Sequence, residues 1–244
     1  MTYRLKSVIF AGICAVFVFP FFFLPWLSFQ SDGSWSTLFS TNSSLFQGFI
    51  LSLSISISVA LTATAIGFVI SRTIAFHQHS TRILFAAYLP YILSPVIYAA
   101  CLYYFFIKLE VAGTATGVVL AQFLIAFPFS VIFFSGYWGQ RLKSMEQLAS
   151  TLGSKPIQTF FRVVIPVSRP MLLVCFFQTF LISWFEYGLT TIIGVGKIQT
   201  LTIKVYQYLS EANPYYAAVA SCLLIIPPAI LLWFNKRYVF KKPS

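Results

Sequence analysis

Enzymatic chemistry needs acids, bases, nucleophiles or metal ligands within reach of one another, and this chain of 244 residues carries only 5 Asp and Glu, 2 His and 4 Cys. His77 and His79 form an H-x-H with no third ligand near them in sequence, too few for a metal centre. Cys14, Cys101, Cys175 and Cys222 sit in apolar stretches without ligand-like spacing, so packing is their expected role. Gly194, Val195, Gly196, Lys197 approaches a phosphate-binding loop, but Thr191 stands where the first glycine is required. Asn42, Ser43, Ser44 matches a glycosylation sequon, a short match of little weight. No polar cluster of the kind a catalytic centre needs is visible. No catalytic residue, metal ligand or bound cofactor is therefore expected.

One acid is placed differently from the rest. Glu186, in Ser183, Trp184, Phe185, Glu186, Tyr187, Gly188, lies inside a long apolar run. An ionised side chain there costs roughly 2.5 to 3.5 kcal/mol by insertion scales and is a functional candidate by default. Glu186, Trp184, Tyr187 and Gly188 are candidates for a solute pathway, with Trp184, Phe185 and Tyr187 able to stack on an aromatic or cationic solute. The other reading is structural: Glu186 caps or braces a kinked helix, and the aromatics pack.

The elements that must position these residues are set by composition. Hydrophobic residues make up 59% of the chain, aromatic residues 19% and charged residues 9%, with a mean hydropathy of +0.85. A polar shell around a soluble core cannot be built from that, so the solvent is lipid. A helix needs roughly 20 apolar residues to cross a bilayer. Six runs meet this requirement, near 7–29, 45–71, 83–109, 117–138, 171–194 and 217–234, and together they make one transmembrane domain over 1–244. The alternation Leu51, Ser52, Leu53, Ser54, Ile55, Ser56 resembles a barrel strand locally, but it lies within an unbroken apolar run and reads as small residues on a packed helix.

The net charge of +11 is topological information rather than a sign of nucleic-acid binding. With a cytoplasmic N-terminus, the inside segments hold Arg4 and Lys6, then Arg72 and Arg82, then Arg141, Lys143, Lys155, Arg162 and Arg169, then Lys236, Arg237, Lys241 and Lys242; only Lys108, Lys197 and Lys204 fall outside. The positive-inside rule thus puts both termini in the cytoplasm. The first run is too long for a secretory h-region and lacks a small-x-small site, so it is expected to remain as a helix.

The segment between the fourth and fifth runs, 139–170, is long enough for structure of its own. Ser144 and Gln147 have capping-box spacing. Met145, Leu148, Ala149 and Leu152 then make one apolar face, and Gly153 ends the helix. Ser154 is expected to cap a second helix with Pro156 in its first turn, an apolar face of Ile157, Phe160, Phe161 and Val164, and a stop at Pro166. Two short amphipathic helices bent at a glycine could lie on lipid headgroups or form a docking knob.

This stretch resembles the EAA loop of ATP-binding-cassette (ABC) importer permeases, whose pattern is E-A-A, three residues, Gly, nine residues, I-x-L-P. The pattern falls on Gln147, Leu148 and Ala149, then Gly153, then Val163, Val164, Ile165 and Pro166. Gln147 replaces the first acid, Leu148 the second residue and Ile165 the leucine, while Glu146 offers a carboxylate one position earlier. The resemblance implies an all-α membrane protein, a MetI-like inner-membrane permease of six transmembrane helices with cytoplasmic coupling helices. It implies docking of an ATPase at Glu146, Gln147, Leu148, Ala149, Gly153 and Pro166, with ATP and Mg held by that ATPase dimer. It also implies a second permease, identical or homologous, and an extracytoplasmic substrate-binding protein delivering a small hydrophilic solute. The similar branch contains thiamine, polyamine, sulfate and ferric-iron permeases, which makes thiamine or another organic cation, a polyamine, a phosphonate or ferric iron the candidates. A secondary transporter is the rival; it would need ion-coupling residues and usually repeated halves, neither of which is visible.

Overall fold

The computed structural model describes residues 22–30, 43–75 and 80–239, together with residues 19 and 35. Most of the first expected span therefore lies outside the described residues, as do His77, His79, Cys14 and Asn42. Among the described residues from Ser44 onward every regular element is helical: α1 (Ser44–Ala75), α2 (Ser80–Ile92), α3 (Pro95–Lys108), α4 (Ala115–Ser135), α5 (Gln140–Thr151), α6 (Pro156–Thr159), a π-helical turn (Phe160–Val164), α7 (Ile165–Trp184), α8 (Gly188–Gly194), α9 (Leu201–Ser210) and α10 (Pro214–Val239). Among the described residues four helices are long and apolar enough to cross a membrane, Ser44–Ala75, Ala115–Ser135, Pro156–Trp184 and Pro214–Arg237. The bent pair α2 and α3 makes a fifth if counted as one span.

The chain divides into two compact units, residues 1–51 with 199–227, and residues 52–198 with 228–244. In the first, Leu45, Leu201, Ala217, Ala218, Val219 and Ala220 are buried. A Cβ on Gly48 would lie 3.1 Å from the Gln199 carbonyl oxygen, tighter than an ordinary contact, so any larger residue there would require the neighbouring backbone to give by a few tenths of an ångström.

The second unit holds both candidate regions. Along α1 the buried positions of this unit are Ser52, Ile55, Ser56, Val59, Ala60, Ala63, Thr64, Gly67, Phe68, Ser71 and Ile74, the three-and-four spacing of one helical face. Most are small, which lets helix backbones come together where lipid supplies no hydrophobic drive for association. A Cβ on Gly67 would fall 2.5 Å from Ser130 Oγ on α4. Thr64 and Thr179 hydroxyls meet at 3.2 Å, tying α1 to α7, and Ser130 Oγ lies 3.2 Å from Cys175 Sγ, tying α4 to α7.

Three expectations change. The run at 83–109 is two helices meeting at 102°. Pro95 begins α3, and Ser94 before it is held extended (φ −59°, ψ 138°) as a residue preceding proline prefers, so α2 cannot continue. Pro166 does not stop a helix: the turn Phe160–Val164 widens so that the Ile165 N–H reaches the Phe160 carbonyl, and Pro166 then sits in the first turn of α7. The fifth run accordingly belongs to a helical stretch of 29 residues, Pro156–Trp184, which breaks before Gly188 instead of running through to 194. Finally, α5 begins at Gln140, and Ser144 lies inside it, its hydroxyl donating to the Gln140 carbonyl at 2.9 Å rather than capping.

Candidate functional site

The 139–170 segment is seated on the ends of the spans by an aromatic cluster. Phe68, Phe134, Trp138, Leu142, Val164 and Cys175 form one buried core, bringing together α1, α4, α5, the π-helical turn and α7. Phe68 meets Phe134 edge-on at 5.0 Å and Trp138 at 4.8 Å, geometries that add to simple burial. The Trp138 indole N–H donates to Ser71 Oγ at 2.7 Å, and Ser71 donates to the Phe68 carbonyl at 2.9 Å, so the buried polar groups are satisfied.

Beside this core, Arg72 in the last turn of α1 grips Glu146 in α5. Nε donates to Oε1 at 3.0 Å and Nη2 to Oε2 at 2.7 Å, a two-pronged ion pair, and the guanidinium lies 5.7 Å from the centre of the Phe160 ring. Both oxygens of the carboxylate singled out for the ATPase contact are thus engaged within this chain. Arg72 was not a candidate from the sequence: its partner lies 74 residues away, and nothing in the local pattern marks the pairing.

The opposite side of the segment is bare. Gly153 adopts φ +82°, the left-handed backbone that glycine takes without strain, and separates α5 from α6. Lys155 rather than Ser154 is the N-cap of α6, its N–H reaching Gln158 Oε1 at 3.4 Å. Leu148 is 63% exposed, Leu152 84%, Ile157 73% and Phe161 63%. Gln147 is exposed and Ala149 partly so, while Pro166 lies partly buried further along, in α7. On the side of the ion pair, a cavity of about 510 Å³ opens between α5 and α6, lined by Arg72 and Glu146 themselves with Lys143, Gln147, Ser150, Ser154, Pro156 and Thr159.

The pathway candidates lie where α7 breaks. Glu186 accepts from the Leu189 N–H at 2.8 Å through Oε1, and from the Thr190 N–H at 2.9 Å and the Thr190 hydroxyl at 3.0 Å through Oε2. Its carboxylate thereby satisfies first-turn amides of α8, where a negative charge also suits the helix dipole. The Thr190 hydroxyl accepts from Gln122 Nε2 at 2.9 Å, and Gln122 Oε1 accepts from Ser183 Oγ at 2.5 Å, with Ser56 Oγ 3.2 Å from Ser183 as a second acceptor. Ser56, Ser183, Gln122, Thr190 and Glu186 thus form one polar thread through α1, α7, α4 and α8. Trp184 is buried and stacks on Phe180 at 5.5 Å, whereas Phe185 and Tyr187 are exposed. Gly188 is partly buried, and a Cβ there would touch Val96 at 3.4 Å. Among the described residues no group of His, Cys, Asp and Glu could hold a metal ion.

No family model matches the chain. It is 26% identical over 238 residues to a probable sulfate transport system permease protein of Helicosporidium sp. subsp. Simulium jonesii, covering 90% of this chain and 87% of that one. It is 32% identical over 157 residues to the molybdenum transport system permease protein ModB of Mycobacterium bovis, covering 59% of this chain and 60% of that one. A putative ferric transport system permease protein of Haemophilus influenzae is 28% identical over 131 residues, only 21% of its own length. Among solved structures, a bacterial ABC transporter importing alginate matches with a TM-score of 0.67 at 14% identity, over 99% of this chain and 96% of that one. The MetNI methionine ABC transporter matches with a TM-score of 0.62 at 15% identity, over 82% and 96%. In sequence this chain is similar to transport-system permease proteins, and in fold it is similar to chains of ABC importers.

Proposed function

We propose that this chain is the inner-membrane permease of an ATP-driven importer, with six spans, both termini in the cytoplasm, and α5 and α6 as coupling helices that enter a groove of an ATPase. The observation that carries this reading is the bare apolar face of the bent pair: Leu148, Leu152, Ile157 and Phe161 stand exposed around Gly153, on the segment where the basic residues put the cytoplasm. ATP and Mg are held and hydrolysed by that partner, present as a dimer. A second permease completes the pathway, and an extracytoplasmic binding protein delivers the solute.

Relatives named for sulfate, molybdenum and ferric iron favour a small inorganic ion, a tetrahedral oxyanion first, over the thiamine, polyamine and phosphonate candidates. Glu186 is then a brace at the break before α8, and Tyr187 and Gly188 are the pathway candidates nearest it. The test is affinity capture of the chain from detergent-solubilised native membranes, with partners identified by mass spectrometry. The captured complex is then reconstituted in vesicles and assayed for uptake of radiolabelled sulfate, molybdate and ferric iron. Co-capture of an ATPase and ATP-dependent uptake of one ion are expected. A chain recovered alone that still transports is a secondary transporter, and the proposal fails.

A further inference from the structure

We propose that Arg72 and Glu146 form the strut that carries motion from the coupling helices into the membrane spans, which makes Arg72 a positioning residue for transport. This rests on the importer reading above. Force from a docked ATPase enters at Leu148 and Leu152. An α-helix turns about 100° per residue, so these side chains project about 200° and 240° around α5 from Glu146, on its far side. What leaves α5 on the near side passes through the Glu146 carboxylate to Arg72, and Arg72 is in the last turn of α1, a helix of 32 residues with the small-residue face described above.

The type of contact matters. Apolar neighbours at an interface can slide past one another, whereas two parallel N–H to oxygen bonds fix distance and orientation together. The side chains are 35% and 17% exposed, so water competes for this pair less than at an open surface. It is a salt bridge between two different helices rather than along one of them. The Phe160 ring beneath the guanidinium adds the π-helical turn, so α1, α5 and the root of α7 all converge on one side chain. With both its oxygens turned to Arg72, Glu146 acts in this proposal as the transmitting residue.

The experiment uses the chain purified together with its co-captured ATPase, as Arg72→Gln, as Glu146→Gln and as the reversal Arg72→Glu with Glu146→Arg. Two quantities are read: the yield of captured ATPase, and deuterium exchange of the backbone amides of 68–75 with and without ATP plus vanadate. In the wild type the trapped nucleotide is expected to change exchange at 68–75 at least about threefold. The single variants should capture ATPase within about twofold of wild type and lose that change, and the reversal should restore at least half of it. Single variants that keep the exchange response, or a reversal as unresponsive as they are, overturn the strut. Loss of ATPase capture in Glu146→Gln overturns it too, by making Glu146 a docking residue, and so does a wild type whose amides at 68–75 ignore trapped nucleotide. A wild-type chain that captures no ATPase at all fails the importer reading first, and the strut with it.

Discussion

Glu186 illustrates how a single charge is accommodated among apolar helices: each carboxylate oxygen is matched to a donor at the start of α8. Glu186→Ala removes all three bonds and is expected to cost about 1 to 2 kcal/mol, the upper range for loss of a helix cap. For a chain of this size that is a fall of roughly 2 to 8 °C in the melting temperature in detergent. Glu186→Gln keeps an acceptor and should melt within about 2 °C of wild type. Its uptake of the transported ion then separates the two readings, because transport lost at wild-type stability means that the charge itself faces the solute. A second residue-scale prediction concerns contact rather than charge. Gly67→Ala places a methyl 2.5 Å from Ser130 Oγ and 2.6 Å from its Cβ, and the yield of folded protein on size-exclusion chromatography should drop severalfold. Adding Ser130→Gly should restore it, and a double variant as poor as the single one would mean that the two helices are not held at this point.

At the scale of elements, the proposed importer gives the exposed face of the bent pair to its ATPase. Leu152→Glu and Phe161→Glu alter side chains that the fold leaves bare, so melting should change by less than about 2 °C while co-captured ATPase falls at least tenfold. Gly153→Ala, forced into a left-handed backbone, should lose about 1 kcal/mol and weaken capture to a smaller degree. Much of this segment could be read from the sequence, because glycine at a helix end and apolar spacing are local signals. The packed face of α1 was legible for the same reason, since three-and-four spacing outweighs a short alternation of leucine and serine. What escaped notice depends on longer-range structure. Pro166 reads locally as a stop, and only a preceding π-helical turn lets the chain pass through it. Ser144 has the spacing of a cap, yet α5 begins a turn earlier. The grip of Arg72 on Glu146 joins residues 74 apart, which no window of local periodicity can reveal.

At the scale of the whole molecule, the proposed topology has the 139–170 segment in the cytoplasm, which is open to direct measurement. Single cysteines at Gln147 or Ser154, introduced after replacing the native ones, should react with an impermeant maleimide in inside-out vesicles and at least tenfold less in right-side-out ones; the reverse pattern would invert the topology. The stretch Pro156–Trp184 adds a mechanical consequence. At about 1.5 Å per residue its 29 residues form a rod about 43 Å long, with one end in the knob and the other at the break beside Glu186. The π-helical turn at Phe160–Val164 and Pro170 both lie toward its knob end, where a helix bends most readily, and no further proline interrupts the stretch from Met171 to Trp184, so the rod acts as a lever hinged on the knob side. If it pivots near the knob, a tilt of about 5° there carries the far end through roughly 4 Å, comparable to the diameter of a dehydrated inorganic ion. In the proposed importer, a beam hinged in this way needs little travel at the knob end to open or shut a gap at the other.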